Sequence, residues 1–299
     1  MTARSLAMRP ILLFGAAGQV GGALAPWLQS LGPVVALDRA SADLSRPESL
    51  RPIVRELHPW LVVNAAAYTA VDAAEADEAT CLRVNAEAPA VLAEESARIG
   101  APLIHFSTNY VFDGQLDRAY REEDAPTPES VYGRSKLLGE RAVAANPAHV
   151  ILRLAAVYAS SGRNFVRRIL DLSREREELR VVEDQLVAPT PASAVAEATA
   201  GVIGGVLDGT RELRSGVYHL TCSGSTSWYG FAERILALDP RREEQRLERL
   251  IPVSSAEFGA VAPRPLNGLL DCGRAARELG ITLPDWESEL ERVMASLAH

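Results

Sequence analysis

The stretch Ile11-Leu12-Leu13-Phe14-Gly15-Ala16-Ala17-Gly18-Gln19-Val20-Gly21 decides the fold. Four apolar residues halted by a glycine read as a short, buried strand. Val20, Leu24, Trp27, Leu28 and Leu31 follow at helical spacing, so the glycines join a strand to a helix. Their pattern, G-x-x-G-x-x-G, is one residue wider at the front than G-x-G-x-x-G. In that setting Gly15 allows the tight turn, Gly18 lets backbone approach a pyrophosphate, and Gly21 lets helix pack on strand. The helix N-terminus then aims free N–H groups at phosphate. A glycine turn that holds nothing is the competing reading; the strand before it and the helix after it favour a nucleotide.

Outward from this turn the chain alternates. Apolar runs at 34–37, 60–63, 102–106 and 150–154 read as strands, and 47–57, 72–99 and 132–145 as helices. A Ser45-x-x-Glu48 capping signature precedes the second helix. Continuous apolar strands between helices predict an α/β fold, a Rossmann-like doubly wound parallel sheet covered on both faces. Ligands of such sheets bind outside the carboxyl ends of the strands. Beyond residue 158 the pattern loosens: helices at 166–178, 194–207 and 228–238, strands at 179–182 and 217–220, and a Pro-rich stretch at 262–266. The expected division is a dinucleotide-binding domain over 9–158, with a strand and helix near 179–208 as candidates to return to it. A smaller α/β substrate-binding lobe is expected over 159–299.

Composition bounds the function classes. The 299 residues are 47% hydrophobic and 23% charged, an ordinary globular mix. A net charge of −8 argues against nucleic acid and acidic membrane as partners. Three scattered cysteines, Cys81, Cys222 and Cys272, lack metal-ligand spacing and fit a reducing compartment. No metal site is expected. No apolar run approaches the ~20 residues of a membrane span, and residues 1–10 lack a signal-peptide pattern. A cytoplasmic protein is the expectation.

Asp38 ends the second strand about 20 residues beyond the loop, where a carboxylate accepts from ribose hydroxyls. That favours NAD(H), while Arg39 beside it suits the 2′-phosphate of NADP(H). Asp43 and Leu44 are candidates to frame the adenine or, equally, helix-entry residues. Tyr132-Gly133-Arg134-Ser135-Lys136 is the most informative segment. Residues four apart share a helix face, so a Lys136 ammonium beside Tyr132 is expected to lower the phenol's pKa from about 10 toward a working range. Such a tyrosine donates a proton to a carbonyl oxygen. Thr108, at a strand end after Ser107, can bond the same oxygen.

These segments, with Val63-Asn64-Ala65-Ala66-Ala67-Tyr68-Thr69, Ser107-Thr108-Asn109-Tyr110-Val111-Phe112-Asp113-Gly114 and Arg264-Pro265-x-Asn267, resemble the extended short-chain dehydrogenase/reductase superfamily. Within it the chain is most similar, over nearly its whole length, to the dTDP-4-dehydrorhamnose reductase family. The resemblance implies reduction of the 4-keto group of a dTDP-4-keto-6-deoxy sugar with NADPH or NADH, NADPH being favoured. It implies Tyr132, Lys136 and Thr108 as catalytic residues. It assigns Gly15, Gly18, Gln19 and Val20 to the cofactor's pyrophosphate, with Gly21 among the cofactor-binding residues of the same turn, Asp43 and Leu44 to its adenine, and Ala65, Ala66, Ala67, Thr69 and Asn85 to its nicotinamide side. Thr108, Asn109, Tyr132, Ala156, Asn164, Phe165, Arg264 and Asn267 are the substrate candidates.

Three departures from the family stand out. Asn109 replaces an aspartate, Ala156 replaces a sugar-stacking tryptophan, and Ala23 replaces a glutamate implicated in a magnesium-bridged dimer. Magnesium is therefore not expected to be required, and a homodimer stays open. The alternatives are a non-catalytic NADP-binding subunit similar to the beta subunit of methionine adenosyltransferase, a reductase making a different deoxysugar, and a nucleotide-sugar dehydratase or epimerase. The last needs an acid/base pair where Asn109 stands.

Overall fold

The computed structural model describes residues 9–297; most of the segment read for a signal sequence lies outside them. The strands are β1 (Ile11–Phe14), β2 (Val34–Leu37), β3 (Leu61–Asn64), β4 (Leu103–Thr108), β5 (His149–Leu154), β6 (Glu178–Val182), β7 (Gly216–His219) and β8 (Arg249–Val253), besides several two-residue pairings. The main helices are α1 (Gln19–Leu31), α2 (Leu50–Leu57), α3 (Ala88–Arg98), α4 (Val131–Val143), α5 (Phe165–Glu175), α6 (Ala192–Leu207), α7 (Trp228–Ala237) and α8 (Trp286–Ser296).

Six strands form one parallel sheet in the order β7-β5-β4-β3-β1-β2. Alternation along each strand divides the core. Ile11, Leu13, Val63, Ile104 and Leu152 face one layer, where Leu24 and Leu28 of α1 meet Val195 and Ile203 of α6. Leu12, Phe14, Val62, Leu103 and Ile151 face the other, against Leu50 and Val54 of α2 and Leu92 of α3. Helix α1 persists although Pro26 lies inside it. An interior proline costs about 3 kcal/mol, and full burial of Leu24 and Leu28 contributes about 1.5–3 kcal/mol each, enough to offset it. No helix among the described residues is long and apolar enough to cross a membrane.

The structure corrects four expectations. The Ser45/Glu48 capping box does not form: residues 47–49 make a 3-10 turn, Glu48 pairs with Arg51, and the α-helix begins at Leu50. The stretch 72–99 is not one helix. Asp77 caps a new start by accepting from the Thr80 N–H at 3.3 Å, and Arg83–Glu87 is a π turn before α3. Strand β6 does not return to the sheet but pairs in parallel with β8. Instead α6 packs on α1, and β7, expected in the smaller lobe, pairs with β5 as the sheet's outer strand. The remaining lobe has its own core of Tyr158, Val166, Ile169, Phe231, Trp286 and Leu290.

Candidate active site

A cleft of about 1590 Å³ opens at the carboxyl ends of β1 to β5. It spans the point between β1 and β3 where the strand order reverses, the usual ligand crevice of an open parallel sheet. Gly15, at φ +81°, makes this edge possible: a Cβ there would stand 2.6 Å from Ala66 N, inside the neighbouring loop. A Cβ on Gly21 would overlap the Gly15 carbonyl, so the third glycine lets α1 press on the turn. Gly18 precedes α1 with no side-chain cap, and the first turn carries no acid. Its N–H groups therefore favour an anion. Gln19 and Val20 line the cleft here, and the buried Gln19 Oε1 has no partner within the protein.

At the other end stand Thr108, Tyr132 and Lys136, all lining the cleft. Ser130 caps α4 by accepting from the Gly133 N–H at 3.0 Å, and Glu75 Oε1 accepts from the Val131 N–H at 2.9 Å. These two contacts fix where the helix starts, hence where Tyr132 points. The Tyr132 ring meets Tyr110 edge-on, centroids 5.5 Å apart. Tyr132 is 8% exposed and Lys136 1%. Lys136 Nζ donates to Phe106 O at 2.7 Å and lies 3.2 Å from His105 Nε2. Burial depresses its pKa to about 8, against the Glu140 carboxylate, which favours the charge. The expected lowering of the tyrosine is not seen. Burial pushes the Tyr132 hydroxyl up, and a hydrogen bond with Thr108 offsets this only in part. Desolvation of a phenolate outweighs the contact, and the lysine charge is turned to the strand carbonyl instead.

Arg39, Asp43, Leu44, Ala65, Ala66, Ala67, Thr69, Asn109 and Ala156 also line the cleft. Other candidates lie off it. Asp38 bends into its own turn, accepting from Ser41 N and Oγ at 2.9 and 2.5 Å. Asn85 is buried under the wall, gripping both backbone groups of Tyr68 at 2.9 and 3.0 Å. Asn164 caps α5, and its amide donates to the carbonyls of Ala159 and Ser161. Phe165 packs on Trp228 at 4.6 Å. Arg264 holds Asp72 through two hydrogen bonds of 3.0 and 2.7 Å, pinning the Pro-rich loop. Asn267 donates to Leu116 O and Arg118 O. Asn109 donates to Gly268 O at 3.3 Å and accepts from Thr108 Oγ1 at 3.3 Å.

The site also holds residues that the sequence reading left out of its candidates. Ser107 lines the cleft with a buried, unpartnered hydroxyl. Its place beside Thr108 at a strand end was the available signal. Trp228 at the start of α7, Arg163 in the loop after Tyr158, and Arg292 on α8 line it from the smaller lobe. Only tertiary packing brings these three to the sheet edge.

Comparison with known proteins then adds to this geometry. A family model described as the RmlD substrate binding domain matches residues 8–299. A curated dTDP-4-dehydrorhamnose reductase of Burkholderia thailandensis is 45% identical over 282 residues, covering 92% of this chain and 95% of that protein. Another from Escherichia coli K12 is 39% identical over 299 residues, covering 96% and 97%. Among solved structures, a dTDP-4-dehydrorhamnose reductase of Clostridium acetobutylicum superposes with a TM-score of 0.89 at 32% identity, over 97% of this chain and 100% of that one. One from Bacillus anthracis, in complex with NADP, gives 0.87 at 31% identity over 96% and 99%.

Proposed function

This chain belongs to the RmlD substrate-binding-domain family, and from that premise we propose that it is an oxidoreductase reducing the 4-keto group of a dTDP-4-keto-6-deoxy sugar, dTDP-4-dehydrorhamnose going to dTDP-L-rhamnose. The observation that carries this reading is the meeting, in one cleft, of an uncapped glycine turn with Thr108, Tyr132 and Lys136. A binding subunit without catalysis has no need of that trio, and the relatives named above are reductases.

The residues fit a dinucleotide. The N–H groups opening α1, beside Gly15 and Gly18, receive its phosphates, with the partnerless Gln19 amide at hand. Asp43 and Leu44 receive the adenine. Ala65, Ala66, Ala67 and Thr69 receive the nicotinamide side, and Asn85 acts on that loop from beneath. Arg39, on the rim and 3.8 Å from Asp43, meets a 2′-phosphate, which favours NADPH while leaving NADH usable. When bound, the nicotinamide supplies the hydride that reduces the carbonyl carbon. Thr108 Oγ1 and the Tyr132 hydroxyl bind the carbonyl oxygen. Tyr132, whose buried hydroxyl stays protonated at neutral pH, gives that oxygen its proton. Lys136 donates to Phe106 O, and its ammonium, one helical turn from Tyr132, favours the developing phenolate. Asn109, Ala156 and Trp228 border the hexose. Arg264, Asn267, Asn164 and Phe165 shape the loops around it. With Ala23 on α1, we read the reaction as independent of magnesium.

Incubation with dTDP-4-keto-6-deoxy sugars and NADPH or NADH, with NMR of the product, tests this. Ketone-dependent cofactor oxidation yielding the rhamno product is expected. Cofactor binding without oxidation would return the binding-subunit reading. A different C4 or C5 configuration, which Ala156 and Asn109 leave room for, would make it a reductase for another deoxysugar.

A further inference from the structure

Behind the cleft a buried file of polar groups runs from the loop after β3 to α4. Asn64 Oδ1 accepts from the Ala66 N–H at 3.1 Å. That turns its Nδ2 toward His105 Nδ1, 3.1 Å away. An amide NH₂ donates and does not accept, so Nδ1 carries the lone pair. His105 is fully buried, and burial together with Lys136 keeps the ring neutral. A neutral imidazole has one hydrogen, which is therefore on Nε2, facing Lys136 Nζ at 3.2 Å. An N–H against a nitrogen is a hydrogen bond only if that nitrogen has a lone pair. The contact thus favours the amine form of Lys136. An ammonium asks for the other tautomer, and that tautomer asks Asn64 to turn its amide and strip Ala66 N of its acceptor.

We infer that His105 is a positioning residue of the reduction, whose Nε2 hydrogen, fixed there by Asn64, keeps the Lys136 ammonium ready to release its proton. The inference rests on the reductase reading for its kinetic consequence and on geometry alone for the tautomer. Tyr132 loses a proton to the sugar oxygen in each turnover, and its phenolate takes one back. A readily released lysine proton meets that need: the N–H bond breaks, the O–H bond forms, and solvent later reprotonates the amine. The other titratable groups around Lys136 are few. Glu140, one turn on, is clamped by Arg153 at 2.9 and 2.7 Å and favours the charge. Cys81, held by Ser135 at 3.1 Å, faces it from the 78–82 helix, and Tyr132 lies one turn back.

Two measurements test this. ¹⁵N NMR of ring-labelled histidine in the wild-type protein, with His105 assigned by comparison with His105→Gln, should find hydrogen on Nε2 and none on Nδ1. The opposite tautomer overturns the inference, and no substrate is needed to see it. The second is the pH profile of kcat/KM for ketone reduction, whose basic limb reports loss of the Lys136 proton. In Asn64→Asp a carboxylate accepts from Nδ1–H and still serves Ala66 N, so Nε2 offers its lone pair to an ammonium. The limb should rise by about one pH unit or more. A limb that stays or falls overturns the positioning role. A wild-type chain that binds cofactor but reduces no keto-sugar overturns the reductase reading and the kinetic role with it, while the NMR still decides the tautomer.

Discussion

Tyr132 is the residue on which the proposed chemistry turns, and its surroundings favour the phenol over the phenolate. The hydroxyl is buried against Thr108 and its pKa is raised, so the acid form prevails at neutral pH. Tyr132→Phe keeps the ring and its edge contact with Tyr110. Cofactor affinity, read by titration, should hold while turnover falls about 10²–10⁴-fold, the usual worth of a placed acid. Turnover near the wild-type value would assign the proton to another group. Ala156 is the second residue of consequence. It lines the cleft with φ +44°, a conformation rare outside glycine, and we propose that it takes the position of the sugar-stacking tryptophan that the family resemblance implies. Ala156→Trp should lower KM for dTDP-4-dehydrorhamnose and leave cofactor binding alone; steady-state kinetics check this, and an unchanged or raised KM counts against the stacking assignment. Residue type made the tyrosine, the lysine and the threonine legible in the sequence. It did not separate Asn164, Asn267 and Arg264, which bind backbone or Asp72, from side chains that bind ligand, because the same donors serve both purposes.

At the scale of elements, α4 is set by close approach. Cβ atoms on Gly133 and Gly139 would overlap the carbonyl oxygens of Tyr110 and Asn85, so the helix lies against both loops. Gly133→Ala should push α4 outward, and a displacement near 1 Å costs about 10²-fold in rate. Single-turnover rates should fall while the melting temperature drops only modestly. The π turn at Arg83–Glu87 that carries Asn85 was not legible, since nothing in the apolar spacing of 72–99 marks one inserted residue. Nor was the clamp between α2 and α3. Arg55 grips the buried Glu95 at 2.7 and 2.6 Å and Arg51 adds a bond of 2.9 Å, which depresses the Glu95 pKa from 4.5 to about 2. A depressed carboxyl stabilises the fold above its unfolded value, and that contribution drains away as pH falls from about 4.5 to about 2. Glu95→Gln should lose about 1–3 kcal/mol at pH 7 and show a flatter acid limb in urea melts taken across this range. A variant as stable as wild type at neutral pH would remove the clamp from the stability of this layer.

Across the whole molecule, what was legible follows how local the pairing is. From Ile11 to Leu154 each strand lies beside strands near it in sequence, and periodicity alone draws the sheet. Past Tyr158 the chain builds part of the smaller lobe before β7 returns to pair with β5, and no local pattern announces that return. The same excursion brings Trp228 and Arg292 to the cleft, so both lobes line it. A ligand that binds only the folded chain adds RT ln(1 + [L]/Kd), about 2.7 kcal/mol at a hundredfold excess over Kd. NADPH and NADH should therefore each raise the melting temperature in a concentration-dependent way. In the proposed function Arg39 decides the difference between them. Its side chain is 84% exposed and 3.8 Å from Asp43, a pairing worth about 0–1 kcal/mol at a surface, so it turns to a 2′-phosphate at little cost. One charge-assisted hydrogen bond is worth about 1.5 kcal/mol, or about tenfold in affinity. Arg39→Ala should lose that much for NADPH and nothing for NADH, read as thermal shifts over matched titrations. Equal losses for the two cofactors would show that Arg39 does not meet the 2′-phosphate, and would leave any NADPH preference to the turn that Asp38 makes with Ser41.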